Sequence, residues 1–92
     1  MNNGYMGMVR QWQELFWDRR YSAVHQELPD WVKLAEAYGA TGMRATDKTK
    51  LPEQMREALE TPGPVLLDVH VTKEENCYPM IPAGQAARDM VG

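Results

Sequence analysis

Apolar side chains first recur at helical spacing in Met8, Trp12, Leu15 and Phe16, which predicts a helix from about Gly7 to Trp17. Asn2-Asn3-Gly4-Tyr5 before it reads as a turn, because Asn and Gly tolerate left-handed backbone. From Asp18 to Leu28 no period holds, and a loop crossing the surface is expected. Pro29 then precedes Asp30, a good N-cap, and Trp31, Leu34, Ala35 and Tyr38 form one apolar face that Gly39 ends. Thr41 to Thr46 is a short strand candidate. A third helix follows Asp47 to Lys50, with Pro52 tolerated in its first turn and Leu51, Met55, Ala58 and Leu59 expected to face inward. Thr61-Pro62-Gly63-Pro64 stops it. Val65 to Val71 then reads as a strand apolar on both faces, hence buried.

Strand, helix and strand within this distance make a βαβ unit with a parallel pair. Two strands are too few for a parallel sheet, which is normally covered on both faces, so the pattern looks like part of a larger α/β sheet with an open edge. From Lys73 onward Pro79, Pro82 and Gly84 break regular structure, leaving a tail with one helical turn near Ala86 to Met90.

Composition narrows the classes. At 92 residues the chain is one small domain at most, and 43% hydrophobic with 25% charged residues is globular in character. A net charge of −3 without a basic stripe argues against nucleic acid. Arg10, Glu14, Asp18 and Arg19 interrupt any signal-peptide core, and no apolar run suffices for a membrane span, so a soluble chain is expected. The single Cys77 forbids an internal disulfide and fits a reducing cytoplasm; it reads as an incidental loop thiol. Arg10, Gln11 and Arg20 read as solvated helix residues, with contact to a substrate carboxylate as the alternative. His25 and His70 lack metal-ligand spacing, and His70, on the strand face of Leu66 and Asp68, reads as structural.

The order of short motifs says more. Asn2-Asn3, Gly7-Met8-Val9, Gln11-Trp12, Arg20-Tyr21-Ser22, Pro29-Asp30, Lys33-Leu34-Ala35-Glu36-Ala37, Thr61-Pro62-Gly63-Pro64-Val65-Leu66-Leu67-Asp68-Val69 and Pro79-Met80-Ile81-Pro82 together resemble the catalytic large subunit of acetolactate synthases (acetohydroxyacid synthases). The resemblance runs through the whole chain. It implies an α/β fold, a partial parallel-sheet pyrophosphate domain with a βαβ unit and flanking helices. Residues 1–72 would be the carboxy-terminal part of the domain binding thiamine diphosphate, and 73–92 a tail near the site entrance.

In such enzymes the paired Asn closes a metal motif opened upstream by Gly-Asp-Gly, whose Asp has no counterpart here. By resemblance Asn3 gives a side-chain oxygen and Tyr5 a main-chain carbonyl to Mg2+, a hard ion that shares its shell with cofactor phosphates. Asn3, Gly7 and Met8 would meet the cofactor. Spacing alone makes Met8 and Trp12 core residues; the resemblance instead puts Trp12 in the substrate channel, favouring 2-ketobutyrate over pyruvate as second substrate, and in the FAD-containing biosynthetic branch. The activity implied is condensation of pyruvate with pyruvate or 2-ketobutyrate, toward branched-chain amino acids. No catalytic residue falls in this chain, since the activating Glu belongs to another domain of a second subunit. Partners implied are the remainder of the large subunit, identical subunits in a dimer or tetramer, and a small regulatory subunit. The isolated chain is expected to be inactive. The alternatives are another thiamine-diphosphate carboligase or decarboxylase and a non-enzymatic α/β interaction module.

Overall fold

A computed structural model describes all residues, 1–92. Helix α1 spans Gly7–Phe16, α2 Trp31–Ala37 and α3 Leu51–Glu60, with strands β1, Thr41–Ala45, and β2, Val65–Val69. The helical turn near the end is a 3-10 turn at Ala87–Asp89. No helix is long and apolar enough to cross a membrane.

Local chemistry accounts for the boundaries. The Asp30 side chain accepts from the backbone N–H of Val32 and Lys33, capping α2, and Gly39 with φ +77° turns the chain out of it. Pro52 sits in the first turn of α3, where its missing N–H costs nothing.

β1 and β2 are parallel, in register from Thr41 opposite Val65 to Ala45 opposite Val69. The other edge of β2 is taken by the amino-terminal segment. Asn2 N–H donates to the Val69 carbonyl at 2.7 Å, and Val71 N–H to the Asn2 carbonyl at 3.0 Å. The strand edge expected to be open is therefore partly satisfied. Helix α2 lies against β1 at Gly42, where an added Cβ would stand 2.6 Å from the Val32 carbonyl oxygen.

The buried set is small: only Val24, Ala35 and Ala45 among apolar residues, with Arg10, Gln11 and Asp68. The radius of gyration, 17.2 Å, exceeds the value of about 12 Å for a compact chain of this length. The inward face expected for α3 is not realised, since Leu59 is 83% exposed and Met55 also lies open. Val65 to Val69 is mostly half-buried rather than enclosed. Helix α2 packs against both strands, while α3 makes only slight contact with β1, and no other element of the chain covers what is left open.

The segment from Asp18 to Leu28 is a loop across the surface, as expected, anchored at Val24, which is buried and whose carbonyl accepts from Met6 N–H at 2.8 Å. Two further expectations are corrected. Arg10 and Gln11 are buried, whereas Arg20 is solvated as expected. Apart from Glu14, one helical turn from Arg10, their partners lie some sixty-five residues on, beyond the reach of spacing arguments. Arg10 meets Glu14 at 2.6 Å, the Glu75 carbonyl at 3.3 Å and the Asn76 side-chain oxygen. Burial opposes the Arg10 charge, but Glu14 and Tyr21 together outweigh it and hold the guanidinium above its ordinary value. Gln11 makes a two-point bridge to Cys77, donating to its carbonyl at 3.0 Å and accepting from its N–H at 2.8 Å.

Candidate functional site: the Asn2 to Val9 loop and helix start

The chain leaves the sheet at Asn2 and enters α1 at Gly7 through two overlapping side-chain turns. Asn2 Oδ1 accepts from Gly4 N–H and Asn3 Oδ1 from Tyr5 N–H, each at 3.0 Å. Gly4 takes φ +70°, a conformation that disfavours any residue with a Cβ. Its carbonyl accepts from Gln26 N–H at 2.9 Å, and the Tyr5 ring meets His25 edge-on at 5.4 Å. The loop is thus held from two sides, by β2 and by the segment around Val24.

Its free groups are specific. Asn3 Oδ1 has one acceptor position used and one spare, and the Tyr5 carbonyl accepts no backbone hydrogen bond. At the start of α1, Met6 provides no side-chain cap, no acidic residue lies in the first turn, and the N–H groups of Gly7, Met8 and Val9 have no partner. Such a helix end carries partial positive charge and unpaired donors, and it favours an anion. An added Cβ on Gly7 would lie 3.1 Å from Asn3 Nδ2, so the missing side chain leaves room for the Asn3 amide beside the helix start. Two oxygens for a hard cation and adjacent N–H donors for an anion suit a metal diphosphate. The chain has no cluster of three or more His, Cys, Asp or Glu side chains able to hold a metal.

Asn3, Tyr5, Gly7 and Met8 are therefore neighbours at one loop and helix start. Trp12 stands one helical turn beyond Met8, and both are 50% exposed. Within this chain neither is buried, because no other element covers this face. The Pro79 to Pro82 region approaches the same helix, with Met80 Sδ 3.3 Å from Gln11 Nε2.

A charged group that sequence reasoning passed over lies behind the loop. Asp68, its side chain 4% exposed, accepts from Asn2 Nδ2 at 3.0 Å and lies 3.0 Å from His70 Nε2 and 3.5 Å from Arg44 Nε. Arg44 also meets Asp30 at 2.6 Å. Burial pushes the Asp68 carboxyl up, but the contacts with Asn2, His70 and Arg44 outweigh it and hold it below 3.8. His70 stands just past β2 with its side chain 45% exposed beside the carboxylate. These groups and the loop border a cleft of about 430 Å³. The one available signal was an acidic residue inside an otherwise aliphatic strand.

Comparison with known proteins identifies the family. The family described as thiamine pyrophosphate enzyme, C-terminal TPP binding domain, matches residues 1–69. The acetolactate synthase large subunit of Parasynechococcus marenigrum is 47% identical over 94 residues, covering 100% of this chain and 15% of that protein. The mitochondrial acetolactate synthase of Schizosaccharomyces pombe is 44% identical over 91 residues, with coverages of 99% and 14%. The large subunit of Cyanidium caldarium is 45% identical over 94 residues, with coverages of 100% and 16%. The chain thus spans 14% to 16% of the length of these relatives.

Proposed function

Because this chain belongs to the thiamine pyrophosphate enzyme family, through its C-terminal TPP-binding domain, we propose that it serves as the carboxy-terminal part of an acetolactate synthase large subunit. The observation that carries the reading is the pairing of Asn3 Oδ1 and the Tyr5 carbonyl with the unpaired N–H groups opening α1. Asn3 and Tyr5 hold Mg2+, and the N–H groups of Gly7, Met8 and Val9 receive the cofactor diphosphate. The remaining metal ligands come from the cofactor, water and the rest of the subunit. Thiamine diphosphate supplies the decarboxylation and carbon–carbon bond formation that join pyruvate to a second 2-keto acid. This chain's residues bind and orient; none donates or removes a proton in the reaction.

Trp12 presents a large apolar wall one turn from Met8, suited to the extra methyl group of 2-ketobutyrate. One such group is worth about 1–3 kcal/mol, roughly 10- to 200-fold in selectivity. The surrounding assembly is a cytoplasmic, FAD-containing homodimer or homotetramer with a small regulatory subunit, working in branched-chain amino-acid synthesis. The apolar faces of α3 and β2 are covered by the rest of the subunit, and the isolated chain does not turn over.

The test is a chimera in which this chain replaces the matching segment of the Parasynechococcus marenigrum large subunit. It is expected to form 2-acetolactate from pyruvate, with Asn3→Ala abolishing Mg2+-dependent cofactor binding. Trp12→Ala is expected to lower 2-ketobutyrate preference within the range above. A folded chimera that binds no thiamine diphosphate refutes the reading.

A further inference from the structure

We infer that Asp68 is a positioning residue for the metal loop, acting on Asn3 and Tyr5 through Asn2; the inference rests on the reading of that loop proposed above. Asn2 is fixed at all four of its polar groups. Its backbone pairs with Val69 and Val71, its Nδ2 donates to Asp68, and its Oδ1 accepts from Gly4 N–H. The two ends of an amide differ only in donor and acceptor character. If Asn2 were turned over, its NH2 would face the Gly4 N–H and its oxygen would face the carboxylate, losing both bonds. An ionised carboxylate accepts only, so Asp68 decides which end of Asn2 meets Gly4. The captured Gly4 N–H holds the left-handed turn, and that turn sets how Asn3 Oδ1 and the Tyr5 carbonyl are presented.

Asp68 is itself anchored from the far side. Arg44 and His70 meet its second oxygen, and Arg44 is held in turn by Asp30 at the start of α2. A strand that needed only packing would place an aliphatic residue here, as at Leu66 and Leu67, because an enclosed charge is costly unless paired. The carboxylate is retained where its acceptor character orients a neighbour of the proposed ligand, the role that outer-shell groups play at metal sites.

Two measurements test this. In the 92-residue chain, Asp68→Ala is expected to speed amide hydrogen exchange at Gly4 at least tenfold while the β1–β2 ladder keeps its rates. Asp68→Asn, whose amide oxygen still accepts from Asn2, is expected to stay within a few-fold of the parent. In the chimera loaded with thiamine diphosphate, Mn2+ titration followed by electron paramagnetic resonance is expected to show about 10- to 100-fold weaker binding for Asp68→Ala, with substantial recovery in Asp68→Asn. If the parent chimera binds Mn2+ and Asp68→Ala binds it equally well, the positioning role is overturned and the functional reading stands. Uniformly faster exchange throughout the sheet also overturns it, as a purely structural role. A parent chimera that binds neither Mn2+ nor cofactor overturns the functional reading and this inference together.

Discussion

Replacing Gln11 by alanine tests how the last quarter of the chain is held against α1. The Gln11 side chain is buried and makes two hydrogen bonds to the backbone of Cys77, at 3.0 and 2.8 Å. A neutral hydrogen bond contributes about 0.5–1.5 kcal/mol net, so the pair is worth about 1–3 kcal/mol. Cys77 is exposed and its freed backbone groups regain water, so no large penalty for an unsatisfied buried group adds to this. At 1.4 kcal/mol per factor of ten, local opening at Cys77 becomes roughly 5- to 150-fold more populated. The assay is hydrogen exchange resolved to the Cys77 amide, with limited proteolysis at residues 73–80 as a second readout. Gln11→Met keeps the side-chain length without the amide and is expected to match Gln11→Ala, which separates hydrogen bonding from volume. Gln11→Glu keeps the acceptor for the Cys77 N–H but faces the Cys77 carbonyl with a carboxylate, so it also loosens the tail. Unchanged Cys77 exchange in Gln11→Ala and Gln11→Met would show that the bridge does not hold this segment.

Gly42→Ala places a Cβ 2.6 Å from the Val32 carbonyl oxygen and 2.8 Å from its Cα. Displacing α2 from β1 is expected to cost about 1–3 kcal/mol, and Tm falls by about 4–8 °C per kcal/mol for a domain of this size; an unchanged melting curve contradicts the packing. Gly7→Ala is expected to preserve or raise thermal stability, because Ala is the better helix former. Its Cβ crowds the Asn3 amide, so Mn2+ binding by the loaded chimera should weaken; equal binding would argue against the site. Asp68 has a folded pKa below its ordinary value of 3.8, so its stabilising contribution is full above that value and disappears as pH falls through the lowered one. Urea midpoints of wild type and Asp68→Asn should therefore converge as pH is lowered into this range, and a gap independent of pH would contradict the assignment.

Much of the fold was written in local chemistry. Asp30 before an apolar helix face, Pro52 in a first turn and the Pro62-Gly63-Pro64 break act within a few residues, so the boundaries of α2, α3 and β2 follow from the sequence to within about two residues. The order of motifs from Asn2 to Pro82 was likewise sufficient to recognise the cofactor-binding family. Contacts across the fold were not legible. Arg10 has the composition of a solvated helix residue and becomes buried only because Glu75 and Asn76 return to it, 65 and 66 residues away. Asn2 and Asn3 are chemically identical, and only the closeness of Asp68 to one and Gly7 to the other assigns them different tasks. Periodicity showed that α3 has an apolar face but could not show what covers it, and Leu59 stands exposed. Secondary structure is set by interactions along the chain. Burial and the orientation of polar groups depend on which distant surfaces meet, and that was decided by tertiary structure alone.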